Sequence, residues 1–164
     1  MAIVAGSYAA TYNNSTLGMV EDGFEIEETP LAELVRATDT GQSIRDGVYT
    51  GKNVTIDMVL LEWNLAGVGA LWKPWATNMG SVGGVGRQLS DLASQLVLTS
   101  NGGGNQIAAG ANVIVSLTAA KAIAAPNFPV RWLMDARPRK LPVRLMLLPT
   151  TVDNDLVNYV TAVS

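Results

Sequence analysis

Asp153 and Asp155 stand two residues apart, and Glu25, Glu27 and Glu28 form a second acidic group. Paired carboxylates can divide general acid and general base work, or hold a divalent cation, when other groups converge on them. Nothing elsewhere in the chain supplies that convergence. The 164 residues contain no histidine and no cysteine. Thiolate and imidazole zinc sites, Ser-His and Cys-His nucleophile pairs and disulfides are therefore all excluded. The remaining chemical signal is "GSVGGVGRQLSDL", residues 80 to 92, a glycine-rich run leading towards a helical pattern. It lacks the Lys-Ser/Thr ending of a phosphate loop and the G-x-G-x-x-G spacing, and reads as a hinge. "GVYTGKN" places Gly51 beside Lys52 without the required spacing and reads as a turn. The expectation is a chain with no catalytic residue, no metal and no cofactor.

Aromatic and charged residues point instead towards contacts. Of four tryptophans, Trp63 suits a core, while Trp72 and Trp75 fall in a Gly/Pro-rich stretch and suit an interface, where aromatic residues are enriched. Trp132 lies in a basic block with Arg131, Arg137, Arg139, Lys140 and Arg144. An acidic block, Glu21, Asp22, Glu25, Glu27 and Glu28, balances it. Blocks of opposite sign on one chain can meet between identical copies arranged head to tail, a geometry that closes into rings. A net charge of −3 disfavours tight binding to a phosphate backbone.

Composition favours self-association. Charged residues make up 15% of the chain and hydrophobic ones 48%. A typical soluble domain carries about 25% charge, and large uncovered apolar patches mark interaction sites. At this length one domain, residues 1 to 164, is expected. No apolar run reaches the ~18 residues of a membrane span, so no membrane insertion is expected. "MAIVAGSYAATYNNS" lacks the basic start and apolar length of a secretion signal, so synthesis in the cytoplasm is expected.

The elements that must position these residues are mostly short strands. "GSYAATY", "NNST" and "LGMV" read as strand, turn and strand. "GFEIEE" alternates Phe24 and Ile26 with Glu25 and Glu27. Pro30 marks a break, after which "AELVRATDT" reads as strand more than helix. In "VTIDMVLLEW", Val54, Ile56, Met58 and Leu60 share one face, while Thr55, Asp57, Val59, Leu61 and Trp63 share the other. That second face turns apolar halfway along and calls for a cover. A short helix spans at best Gly67 to Lys73. The clearest helix is "RQLSDLASQL", about three turns, because Leu89, Leu92, Ala93 and Leu96 fall on one stripe. "LVLTS", the β-branched run around Val113 to Val115 and "PVRLMLLPT" read as strands, and "NGGGNQIAAG" as a loop. The tail "DNDLVNYVTAVS" fits either type. Many short strands with one helix predict a mainly β barrel or sandwich with a helix packed on it.

The order of these segments resembles the major tail tube proteins of tailed bacteriophages, whose fold is shared with the inner tube of contractile injection systems. The resemblance rests on "ATYNNSTLGMVEDGFEIE", "TDTGQSIRDGVYTGKNVTIDMVLLEW", "GRQLSDLASQLVLT" and "APNFPVRW" followed by "RKLPVRLMLLPT", which together span most of residues 6 to 150. It implies a β-sandwich or barrel-like subunit with one flanking α-helix, joining its neighbours into a ring-wide β-barrel. Six copies would form a ring, and rings would stack into a hollow conduit for double-stranded DNA, which passes without specific binding. A long loop would reach the next ring, and residues 29 to 48 or 64 to 85 are the candidates. The implied partners are further copies of the chain, a tape-measure protein, terminator and baseplate or tip proteins, and a sheath where the tail is contractile. The implied place is the virion tail, built in the host bacterial cytoplasm. Interface candidates are Val59, Leu61, Trp63, Trp72, Trp75, Arg137, Arg139 and Lys140; lumen candidates are Glu25, Glu27 and Asp57. The alternatives are a head-tail completion or tail-terminator ring, a small-molecule-binding oligomeric β-barrel, and an acid-pair hydrolase.

Overall fold

Asn13 and Asn14 take φ values of 48° and 60°. Two successive positive-φ residues are what a two-residue hairpin turn needs to match strand twist, and asparagine tolerates that region. The turn joins β1 (Tyr8–Tyr12) to β2 (Ser15–Arg36) in the computed structural model, which describes residues 8–36, 44–61, 63, 65–72, 85–100, 114–129 and 140–163. The remaining strands are β3 (Ile44–Leu60), β4 (Ser94–Ser100), β5 (Ile114–Ala124), β6 (Leu141–Leu147), β7 (Thr150–Val152), β8 (Asp155–Val157) and β9 (Val160–Val163). Two short helices, α1 (Leu65–Trp72) and α2 (Leu89–Leu92), lie between β3 and β4.

Every strand pairing is antiparallel. The main sheet runs β4-β1-β2-β3-β6-β5-β9, and β5 also bonds back to β4. That last pairing closes β4, β1, β2, β3, β6 and β5 into a ring. Of the two architectures expected, the barrel-like one is therefore present: one large antiparallel sheet closed on itself, with little helix.

Strand periodicity fills its interior. Tyr8, Ala10 and Tyr12 of β1, Val54, Ile56, Met58 and Leu60 of β3, and Leu141, Val143, Leu145 and Leu147 of β6 are all buried, each set two residues apart. On β5 the buried set changes from Leu117 and Ala119 to Ala122 and Ile123, where the register against β4 slips by one residue. A bulge turns the strand so that it can still face inward. The two buried tyrosines satisfy their phenols across the interior. Tyr8 donates to the Ile114 carbonyl at 2.7 Å and Tyr12 to the Ala122 carbonyl at 2.9 Å, tying β1 to both ends of β5. Each such bond contributes about 1 kcal/mol net. The buried hydrophobic residues form one cluster, joined by Ala70 and Leu71 of α1.

Two local expectations are corrected, and the open reading of the tail is resolved. The helix predicted over "RQLSDLASQL" is a single turn; from Ser94 onward the chain is β4, paired on both sides. Leu96 and Leu98 gain more from burial between β1 and β5 than a short helix gains from local propensity. The flanking helix is instead α1, one residue or two from where Gly67 to Lys73 placed it. Pro30 does not interrupt β2. It pairs with Lys52 on β3, and among the described residues β1 accompanies β2 only as far as Val20, so Pro30 lies where β2 is an edge strand, a place that tolerates proline. The tail is strand: β7 and β8 form a hairpin about Asp153 and Asn154, whose φ values are 50° and 71°, and β9 adds to β5.

Candidate assembly surface

Beyond the row Glu28, Val54 and Leu147, β6 ends, while β2 and β3 continue paired to Arg36 and Ile44. The continuation is a two-stranded arm, and every described side chain on it from Thr29 to Arg36 and from Ile44 to Thr50 is exposed. A two-stranded ribbon in water has little of its own to hold it together. This one carries six large exposed apolar residues, Leu31, Leu34, Val35, Ile44, Val48 and Tyr49. The register divides them. Leu34, Tyr49 and Ile44 continue the face that is buried in the barrel, and Leu31, Val35 and Val48 lie on the opposite face. The two faces also differ in charge, since Arg36 lies with the first set and Glu33 and Asp46 with the second.

Backbone features shape the arm. The pairing shifts between Leu31 and Ala32, where Gly51 takes a φ of +132°. A bulge with glycine in that region bends a ribbon and re-aims what lies beyond it. Nearer the tip, a Cβ on Gly47 would lie 3.2 Å from Leu34 Cδ2, so the leucine side chain packs directly on the glycine across the ribbon.

At the root, Glu28 Oε1 accepts from Lys52 Nζ at 3.0 Å and from the Tyr159 hydroxyl at 3.0 Å. The Lys52 ammonium is the main reason the Glu28 carboxyl is held below its ordinary range. Burial, aided by Glu28, raises the Tyr159 phenol.

The three lumen candidates come together. Glu25 and Asp57 are directly opposite, and Asp57 in turn opposes Arg144 on β6, so one row crosses three strands on the face away from the core. Glu27 is on the same face, opposite Thr55. Arg144 resolves the carboxylate pair: its Nε and Nη2 donate to both Asp57 oxygens at 2.6 and 2.8 Å, and its guanidinium lies 5.2 Å from the centre of the Phe128 ring. Two cations of the basic block are thus engaged within the chain, since Lys140 also pairs with Glu21. Lys140, a candidate for charge pairing across a subunit boundary, pairs with Glu21 of its own chain and is largely exposed. Arg137, Arg139, Arg131, Trp132 and Trp75 lie outside the described residues.

The apolar second face of β3 is covered in part by the chain itself. Val59 is half-buried opposite Pro142, and Trp63 is half-buried against the core cluster. Leu61 is exposed, with its N–H bonded to the Met19 carbonyl at 2.8 Å. Trp72 closes α1. The carboxylates Asp153 and Asp155 have a structural occupation, one in the β7–β8 turn and the other at the start of β8, both exposed. Among the described residues no group of three or more acidic side chains is placed to hold a metal ion, and no helix is long and apolar enough to cross a membrane.

Sequence reasoning missed the arm as an element. Its signal was present in "TPLAELVR" and "IRDGVYTGK", but apolar residues on both faces of a ribbon give neither the alternation of a half-buried strand nor a helical stripe. No protein-family model matches this chain, and no curated protein matches it. Among the described residues, the fold defines an antiparallel sheet bonded into a ring round a packed interior, with an exposed apolar arm.

Proposed function

We propose that this chain is a structural subunit without chemistry of its own that assembles with its own copies into rings, stacked as the tail tube of a bacteriophage. The observation that carries the reading is the arm, with exposed apolar side chains on both faces and no cover among the described residues. Six large hydrophobic residues on one exposed ribbon are an aggregation hazard unless partners cover them in a defined way. The opposite charge on the two arm faces suits contact between like copies arranged head to tail. Because the sheet closes within one chain, joining neighbours through it would fall to edges with no partner among the described residues, such as those of the arm and of β9. The arm includes most of residues 29 to 48, one of the two segments that the resemblance to tail tube proteins offers for reaching an adjacent ring.

In this reading the Glu25, Glu27 and Asp57 face lines the conduit. An acidic wall repels the DNA phosphates mildly, and Arg144, tied to Asp57, is withheld from them. The experiment is negative-stain electron microscopy of the purified chain across a concentration series. Rings or tubes with a central hole are expected. Single rings that never stack favour a terminator, and compact monomers at high concentration overturn the proposal.

A further inference from the structure

The arm meets the rest of the chain at a point the barrel does not provide. Glu28 shares its row with Val54 and Leu147, at the last level where β2, β3 and β6 run side by side. Beyond it no third strand joins the ribbon among the described residues. The C-terminal segment is anchored at this same level: Leu148 donates its N–H to the Lys121 carbonyl at 2.8 Å, and the buried Asn158 side chain donates to the Leu147 carbonyl at 2.9 Å. β9 then pairs with β5. Between Asn158 and β9, Tyr159 packs its ring on the core cluster and sends its hydroxyl to Glu28. The Gly51 bulge, where the ribbon changes direction, comes one residue past Lys52, the other donor to Glu28.

We infer that the C-terminal segment braces the arm: Tyr159, fixed by Asn158 and β9, holds Glu28 and through it Lys52, and so sets the direction in which the ribbon leaves the barrel. Tyr159 is a positioning residue in this account. Its ring packs on the core cluster, and its hydroxyl reaches Glu28 at the root of the arm. A brace of this kind makes arm direction depend on docking of residues 150 to 163, which are far from the arm in sequence and adjacent to it in space.

Hydrogen exchange on the full chain, kept below its assembly concentration, tests this. In Tyr159→Phe, amides of residues 44 to 53 should exchange about two- to tenfold faster, the range for loss of one solvent-accessible hydrogen bond, while β1 and β4 amides keep their rates. In Glu28→Ala the same residues should exchange faster, and adding Tyr159→Phe to that variant should change nothing further, because the shared partner is gone. Unchanged exchange in residues 44 to 53 of Tyr159→Phe would overturn the brace. So would acceleration spread equally over β1 and β4, which marks a general loss of stability. The measurement is made on unassembled protein, so a failure here leaves the tube reading standing, and a failure to form rings leaves the brace standing.

Discussion

Replacing Val48 and Tyr49 by threonine tests the arm directly. The two are neighbours on β3, point to opposite faces of the ribbon and are 62% and 64% exposed. If partners cover them, Tyr49 returns roughly two-thirds of an aromatic side chain's ~200 Å² to an apolar environment, worth about 3 kcal/mol at ~25 cal/mol per Å². Val48 adds about 1 kcal/mol on the same scale. Contacts between subunits leave part of this area wet, and ordering the ribbon opposes the gain, so about 2 kcal/mol per arm is a reasonable net loss. That is about a 30-fold weaker contact, which should raise the concentration at which rings or tubes form by about the same factor. The fold should be indifferent: neither side chain touches the core, threonine keeps β propensity, and the unfolding free energy should move by less than about 0.5 kcal/mol. Light scattering over a dilution series gives the first quantity and denaturant unfolding the second. Assembly of the variant at an unchanged concentration would refute the reasoning, since it would mean that the exposed apolar arm is not what copies recognise.

Other expectations follow from the interior and from the charges. Tyr12→Phe removes the buried hydroxyl that donates to the Ala122 carbonyl, and should cost about 1–3 kcal/mol in urea unfolding while leaving assembly of the folded fraction intact. Burial raises the phenols of Tyr8, Tyr12 and Tyr159. Their contribution is complete below the unfolded value of about 10 and is lost as pH rises through the folded values, so absorbance titration should show tyrosine ionisation arriving together with unfolding. The Glu28 carboxyl is lowered, so its contribution is complete above the unfolded value of about 4.3 and fades as pH falls through the folded one; amides at the arm root should loosen in acid before those of β1. Arg144→Met leaves Asp57 facing Glu25 with its cation removed. Because both ion-pair side chains are about one-third exposed (36% and 30%), the loss should be about 0.5–1 kcal/mol and should shrink in high salt.

Much of the barrel was legible from residue order, because its strands are half-buried and alternate. Val54 to Leu60 and Leu141 to Leu147 declare an inner face by type alone, and the asparagine pair at 13 and 14 declares a turn. The helix over residues 87 to 96 was misjudged because four apolar residues spaced as a helical stripe also serve a strand when Leu96 and Leu98 have partners on both sides. Closure of the sheet was not readable, since it depends on β5 bonding β4 on one edge and β6 and β9 on the other. The lumen candidates could be named singly, but only the register aligns Glu25, Asp57 and Arg144 in one row. The tie from Tyr159 to Glu28 spans most of the chain and carries no local pattern.

The packed barrel interior has a consequence for where anything could travel. Tyr8, Tyr12, Leu17, Ile56, Leu98 and Leu145 plug the centre of the subunit, and at this strand number side chains fill a barrel completely. Among the described residues the middle of the subunit is packed side chain, not channel. Under the proposed ring assembly, any bore would be a property of the gap that several copies leave around a common axis, and its diameter would follow from how many of them meet there.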